Sequence, residues 1–280
     1  MPSTPGRPRR RPRTLSLAIV VALATTSLGM SFAGEQVVVP NVVYGVSGGE
    51  PLLLDVYTTS DAVDRPALVL IHGGSWRGKD KRTWEVLAPT FVEAGYTVFA
   101  PNYRLAPPGG DTIFPGAVED VGMALAWVRR NADRFGADPQ RVGMIGSSAG
   151  GHLSLLLAGT GTDRPDAVAV YSAPTALRRL HNQGVLVGDI ENFLGCPPRK
   201  CPRTYRRAST VHAADESNSP AFLAYSWDEM IPRSQGRVMA DRLGRDGVEY
   251  QLAIAAGDSH GMRLAPKLID ETLEFMDLHL

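Results

Sequence analysis

Cysteine is scarce in this chain. Cys196 and Cys201 are the only two in 280 residues, too few for a disulfide scaffold or a four-thiolate zinc site. No excess of either charge exists, because 29 lysines and arginines balance 29 aspartates and glutamates. A nucleic-acid binder usually needs a clear basic surplus, so that class is excluded on electrostatic grounds. No internal repeat is visible, which argues against a solenoid or propeller. What remains is an ordinary globular composition, 44% hydrophobic and 21% charged. It suffices for one large core and excludes wholesale disorder.

The zero net charge hides an uneven distribution. Residues 1–33 contain Arg7, Arg9, Arg10, Arg11 and Arg13 and no acid. Removing those five from the 29 basic residues leaves 24 against 29 acidic ones, a mildly acidic remainder. A basic start, an apolar stretch over 15–28 and small residues at Ser31 and Ala33 are laid out as a secretory signal peptide cut before Gly34. The competing reading is an uncleaved anchor, but Thr25, Thr26 and Ser27 interrupt the apolar run. The expectation is therefore a secreted or periplasmic protein with no stable membrane insertion after cleavage. No cysteine lies near the cut to carry a lipid. In an oxidising compartment Cys196 and Cys201, which flank Pro197-Pro198-Arg199-Lys200, are expected to close a small disulfide loop.

Beyond residue 33, strand-like and helix-like segments alternate. Runs at 36–44 and 52–57 predict an opening antiparallel hairpin. The continuously apolar segment 67–71 predicts a strand covered on both faces. Further strands are expected at 96–100, 141–145, 166–171, 221–225 and 250–255. Helices are expected at 84–93, from Pro115 to about 135, and at 149–157, 233–243 and 266–279. In the second of these, Val118, Val121, Leu125 and Val128 form one apolar stripe. The pattern predicts a mostly parallel central sheet with helices on both faces. Segment 172–219 breaks the rhythm. It has little periodicity, and its length predicts an insertion, lid-like in character, before a core strand. Its Arg178, Arg179, Arg199, Lys200, Arg203, Arg206 and Arg207 read first as a solvated basic surface and second as a site for anions.

The candidate chemistry lies where strands end. Gly146-Ser147-Ser148-Ala149-Gly150 follows one predicted strand and opens a helix, the context in which Gly-x-Ser-x-Gly lifts a nucleophilic serine out of the sheet. The glycines flank Ser148 symmetrically, so Ser148 is the nucleophile candidate and Ser147 a neighbour. His72-Gly73-Gly74-Ser75-Trp76 follows strand 67–71. The N–H groups of Gly73 and Gly74, with that of Ala149, are candidates for an oxyanion hole. Of six histidines, His260 alone sits in a loop after a late strand and before the last helix, which makes it the candidate base. Asp228 follows strand 221–225 and is favoured as the orienting acid over its neighbour Glu229. Asp215 and Glu216 lie at that strand's wrong end.

From about residue 37 onward the motifs occur in the order of a known group. His72-Gly73-Gly74-Ser75-Trp76 is similar to a His-Gly-Gly-x-Trp oxyanion loop. Asn102-Tyr103-Arg104-Leu105-Ala106-Pro107, then Phe114-Pro115 and Asp120, resemble a Tyr-Arg-Leu-Ala-Pro region. Phe135-Gly136-Ala137-Asp138-Pro139 leads to the serine motif, and Asp228-Glu229-Met230-Ile231-Pro232 looks like an Asp-x-x-Val-Pro acid motif. The chain thus resembles the α/β-hydrolase esterase and lipase superfamily, and within it the hormone-sensitive-lipase-related, feruloyl- and acetylxylan-esterase-like branch. That resemblance implies a serine hydrolase of carboxylic esters, with Ser148, Asp228 and His260 as its catalytic set and no metal or organic cofactor. It also implies small-molecule or carbohydrate esters as substrates. Ser75 stands where related lipases carry a third glycine, and Trp227 stands where relatives often have His-Gly. His72, Ser75, Trp76, Ser147 and Trp227 are accordingly pocket candidates, with Trp227 expected to narrow the site or pack on His260. An amide hydrolase and a catalytically silent binding protein are the alternatives. The sequence carries no signal of oligomeric state.

Overall fold

A computed structural model describes residues 34–107, 109 and 114–280. The expected leader, residues 1–33, lies outside them. Among the described residues no helix is long and apolar enough to cross a membrane.

The first two strands, β1 (Gln36–Ser47) and β2 (Glu50–Thr59), form the expected hairpin, and each is longer than its apolar run. Then follow β3 (Arg65–Ile71), β4 (Thr97–Pro101), β5 (Ala137–Ser147), β6 (Val168–Tyr171), β7 (Ala221–Ser226) and β8 (Tyr250–Ala255). Together they make an eight-stranded sheet in the order β1-β2-β4-β3-β5-β6-β7-β8. The pairs β1/β2 and β2/β4 are antiparallel; all the others are parallel. Parallel neighbours need crossovers, and the helices supply them.

Side chains alternate across the sheet and divide the core in two. Val69, Met144, Val170 and Leu223 point to one face, where α2 (Gly116–Asn131), α3 (Ala149–Thr160) and α8 (Ser234–Arg245) cover them. Leu68, Ile145, Ala169 and Phe222 point to the other, under α1 (Ala88–Glu93) and α9 (Ile269–His279). The strands therefore read as unbroken apolar runs because both of their faces are buried. On α2, Val121, Leu125 and Val128 of the predicted stripe are fully buried.

Two helices begin several residues later than expected. The run at 84–93 begins as a 3-10 turn at Lys81–Trp84, and only Ala88–Glu93 is α-helical. The closing run at 266–279 opens with 3-10 turns, and Ile269 starts the helix.

Segment 172–219 also has more structure than its sequence suggested. It folds into α4 (Leu177–Asn182), α5 (Val187–Leu194), α6 (Pro202–Arg207) and α7 (Thr210–Ala213). Helices this short hold few turns, so periodicity over a long window misses them. Their anchors are single large side chains: Ile190, Phe193 and Tyr205 are buried, and Phe193 stacks on Trp76 with ring centroids 4.8 Å apart. Cys196 and Cys201 are joined by a disulfide.

Candidate active site

Ser148 sits on the turn between β5 and α3 with φ 53° and ψ −117°. That conformation costs on the order of 1–3 kcal/mol for a non-glycine residue and needs support from its surroundings. The support comes from close backbone packing. A side chain at Gly146 would bring its Cβ 2.5 Å from the Gly151 Cα, and one at Gly150 would lie 2.2 Å from the Ile71 carbonyl oxygen. The glycines at ±2 are therefore demanded by contact: α3 leaves the turn directly against β3 and β5.

The serine hydroxyl faces an imidazole. Ser148 Oγ lies 3.0 Å from His260 Nε2, and His260 Nδ1 lies 2.7 Å from Glu229 Oε2. The other Glu229 oxygen accepts from the Ser226 N–H at 2.7 Å, and the carboxylate is completely buried. Ser226 Oγ donates to the Ser259 carbonyl at 2.6 Å, tying the end of β7 to the histidine loop. The Gly261 N–H donates to Ser172 Oγ at 2.9 Å and fixes the same loop from β6.

This arrangement corrects the choice of acid. Asp228 is exposed, and its backbone N–H donates to the Gly257 carbonyl. The Trp227 N–H likewise donates to Ala255, so the chain keeps pairing with the β8 side past the end of β7. Glu229 is the residue that turns back inward, and its longer side chain reaches His260. Trp227 does not narrow the site either. It is 58% exposed and lies beneath the Arg233 guanidinium, 3.9 Å from ring centroid to Cζ.

A cavity of about 310 Å³ opens over Ser148 and His260, with Gly73, Gly74, Ser75 and Ser147 in its wall. Gly73 approaches so closely that an added Cβ would sit 2.8 Å from the Ser147 carbonyl and 3.2 Å from the Ser148 Cβ. Gly74 has φ +115°, which a side chain would strain. Ala149 follows Ser148 as the first residue of α3. The expected oxyanion residues are thus gathered beside the serine. No residue of 172–219 lines this cavity, so the segment expected to be lid-like contributes nothing to its wall.

His72 and Trp76, expected in the pocket, are instead core residues with no exposed surface. His72 stacks on Tyr103 at 4.3 Å, and the Tyr103 hydroxyl donates to the His72 carbonyl at 2.8 Å. Trp76 Nε1 donates to His152 Nδ1 at 3.2 Å. His152 Nε2 then donates to the Ala208 carbonyl at 2.7 Å, which fastens the 172–219 segment to α3. Sequence alone gave no sign of this bridge.

Burial pushes the His152 imidazole down to about 4, against its bond to Ala208, which favours the charged form. The unfolded chain takes up that proton near pH 6.5, so the stability His152 contributes is full above that pH and declines as pH falls toward 4. His152→Ala should cost about 2–4 kcal/mol at pH 7, from lost packing and two stranded polar groups. Urea unfolding should show the gap between wild type and variant shrinking from pH 6.5 toward 4.

Among the described residues no cluster of three or more histidine, cysteine or acidic side chains is placed to hold a metal. A serine on a strained strand-to-helix turn, followed in chain order by an acid and a histidine on later strand ends, defines the α/β-hydrolase class. The chain belongs to the BD-FAE family, which it matches over residues 54–243. It is similar to esterase LipC of Mycobacterium tuberculosis, with 36% identity over 255 residues, covering 80% of this chain and 59% of the relative. Esterase LipQ of the same organism is 32% identical over 225 residues, 72% of this chain and 52% of that protein. The chain thus spans between half and three-fifths of the length of these curated relatives. Among solved structures, a truncated carbohydrate esterase from gut microbiota superposes with a TM-score of 0.76 at 18% identity, covering 87% of this chain and 96% of that one. A thermophilic esterase of Thermogutta terrifontis, solved with propionate, gives 0.69 at 22% identity, covering 85% and 92%. At those identities the superpositions show the fold.

Proposed function

We propose that the protein hydrolyses carboxylic esters through an acyl-enzyme formed on Ser148. The observation that carries this reading is the continuous chain of contacts from Ser148 Oγ through His260 to the buried Glu229 carboxylate. In this mechanism Oγ attacks the acyl carbon while His260 Nε2 takes its proton. The same proton then leaves with the alcohol, and a water deprotonated by His260 releases the acid. Glu229 holds the Nδ1–H tautomer and stabilises the imidazolium. The N–H groups of Gly73, Gly74 and Ala149 receive the oxyanion, helped by the N-terminal end of α3.

Relatives named esterases support the ester reading, and the cavity of about 310 Å³ suits a short acyl group. Acylated carbohydrates are one substrate class that the family resemblance implies, and export by the basic, apolar leader would place the enzyme outside the cytoplasm. Purified protein should hydrolyse 4-nitrophenyl acetate, and Ser148→Ala should lose that turnover by a factor of at least about 10³. Equal turnover by wild type and variant would refute the assignment. A long-chain ester turned over in preference to the acetate would refute the short-acyl part alone.

A further inference from the structure

The wall of the catalytic cavity contains two cations and no carboxylate. Lys79 comes from the loop that carries the glycine donors; an ideal Cβ on Gly74 would lie 3.2 Å from the Lys79 Cβ. Arg263 comes from the 3-10 turn directly after His260, and its N–H donates to the His260 carbonyl. Each cation thus stands on one of the two loops that meet at Ser148. Both are exposed, and neither is ion-paired among the described residues. The acids that might have neutralised them are otherwise engaged. Asp80, next to Lys79, is bonded to Arg82, and Glu229 is buried beneath His260.

We infer that the preferred substrate is an ester that itself carries a carboxylate, recognised by Lys79 and Arg263. This rests on the ester hydrolysis proposed for the same site and specifies its substrate class. An anionic ester entering this mouth meets two uncompensated positive charges close to the reacting centre and no negative one in the wall. Arg263 presents a guanidinium fork suited to a carboxylate, whereas Lys79 supplies a mobile point charge. Exposed ion pairs are weak, each worth about two- to five-fold in an equilibrium, so the two together should give a preference of about five- to ten-fold. The preference should fall with added salt, since exposed charges are screened over about 8–10 Å at physiological ionic strength.

Two matched pairs of small esters separate charge from shape. Monoethyl succinate and ethyl levulinate place the carboxylate or a neutral acetyl group on the acyl side. Acetoxyacetate and acetoxyacetone do the same on the alcohol side. The measurement is the ratio of kcat/KM for the charged over the neutral member, in the wild type and in Lys79→Gln/Arg263→Gln. Any effect that the substitutions have on both members cancels in the ratio, as do differences in intrinsic reactivity. In at least one pair the ratio should fall about five-fold or more in the double variant, and in the wild type it should fall between 20 mM and 500 mM salt. Ratios identical in wild type and variant for both pairs would overturn the inference while leaving the ester reading intact. Absence of turnover for all four esters and for 4-nitrophenyl acetate would instead overturn the ester reading beneath it.

Discussion

Glu229→Gln should lower kcat by about 10³–10⁴ and leave KM within a few-fold, whereas Asp228→Asn should stay within about two-fold of wild type. The asymmetry follows from position. Glu229 Oε2 holds His260 Nδ1 at 2.7 Å, with the carboxylate fully buried and its second oxygen taken by the Ser226 N–H. An amide there is nearly the same shape, so the fold should survive. However, it brings no negative charge to meet the imidazolium and allows the wrong imidazole tautomer. Asp228 is exposed at the end of β7 and makes its described bond through its backbone. The two variants differ by one position in sequence, and steady-state kinetics on 4-nitrophenyl acetate tells them apart. Comparable losses in both would mean that the carboxylate facing His260 is not the one that works.

The second large effect concerns folding. Gly150→Ala should destabilise the protein by about 3–5 kcal/mol or prevent it from accumulating as a folded species. The new methyl would lie 2.2 Å from the Ile71 carbonyl oxygen and 2.5 Å from that of His72. Both obstacles are backbone, at the end of β3 and the start of the glycine loop, so no rotamer change relieves them. Any relief must move α3 away from β3 and take Ser148 with it. Gly188→Ala is the control. Gly188 lies in α5 with nothing within 4 Å of an added Cβ. There alanine should be neutral or stabilising by up to about 1 kcal/mol. Urea denaturation of the three proteins measures both effects, and similar curves for the two variants would contradict the packing account.

The sheet and the positions of Ser148 and His260 were legible because each follows from a local pattern. Buried parallel strands appear as apolar runs such as 67–71, and a glycine-flanked serine between such a run and a helix has few other uses. The acid was misread by one residue because the expected motif places it at Asp228, directly after a strand. The backbone instead turns at Trp227 and Asp228, whose N–H groups bond to the carbonyls of Ala255 and Gly257, before Glu229 points inward. That extra pairing is a tertiary event with no local signature. The glutamate's additional methylene makes the later position serviceable.

Of the pocket candidates, Ser75 and Ser147 line the cavity, whereas His72, Trp76 and Trp227 do not. His72 and Trp76 belong to the glycine-loop motif, so they were placed with its chemistry. Their rings instead fill the core beneath it, His72 stacked on Tyr103 and Trp76 reaching the 172–219 segment through His152 and Phe193. Lys79 and Arg263, which also line the mouth, belong to no motif and are brought together only by the fold.

The account's central claim is that Ser148 is a nucleophile activated by His260. Labelling with a fluorophosphonate probe, followed by peptide mass spectrometry, tests it most directly. The account predicts one modified site, at Ser148, with labelling abolished in Ser148→Ala and slowed severely in His260→Ala. An unlabelled wild-type protein, or a probe attached elsewhere while Ser148 remains free, would contradict it.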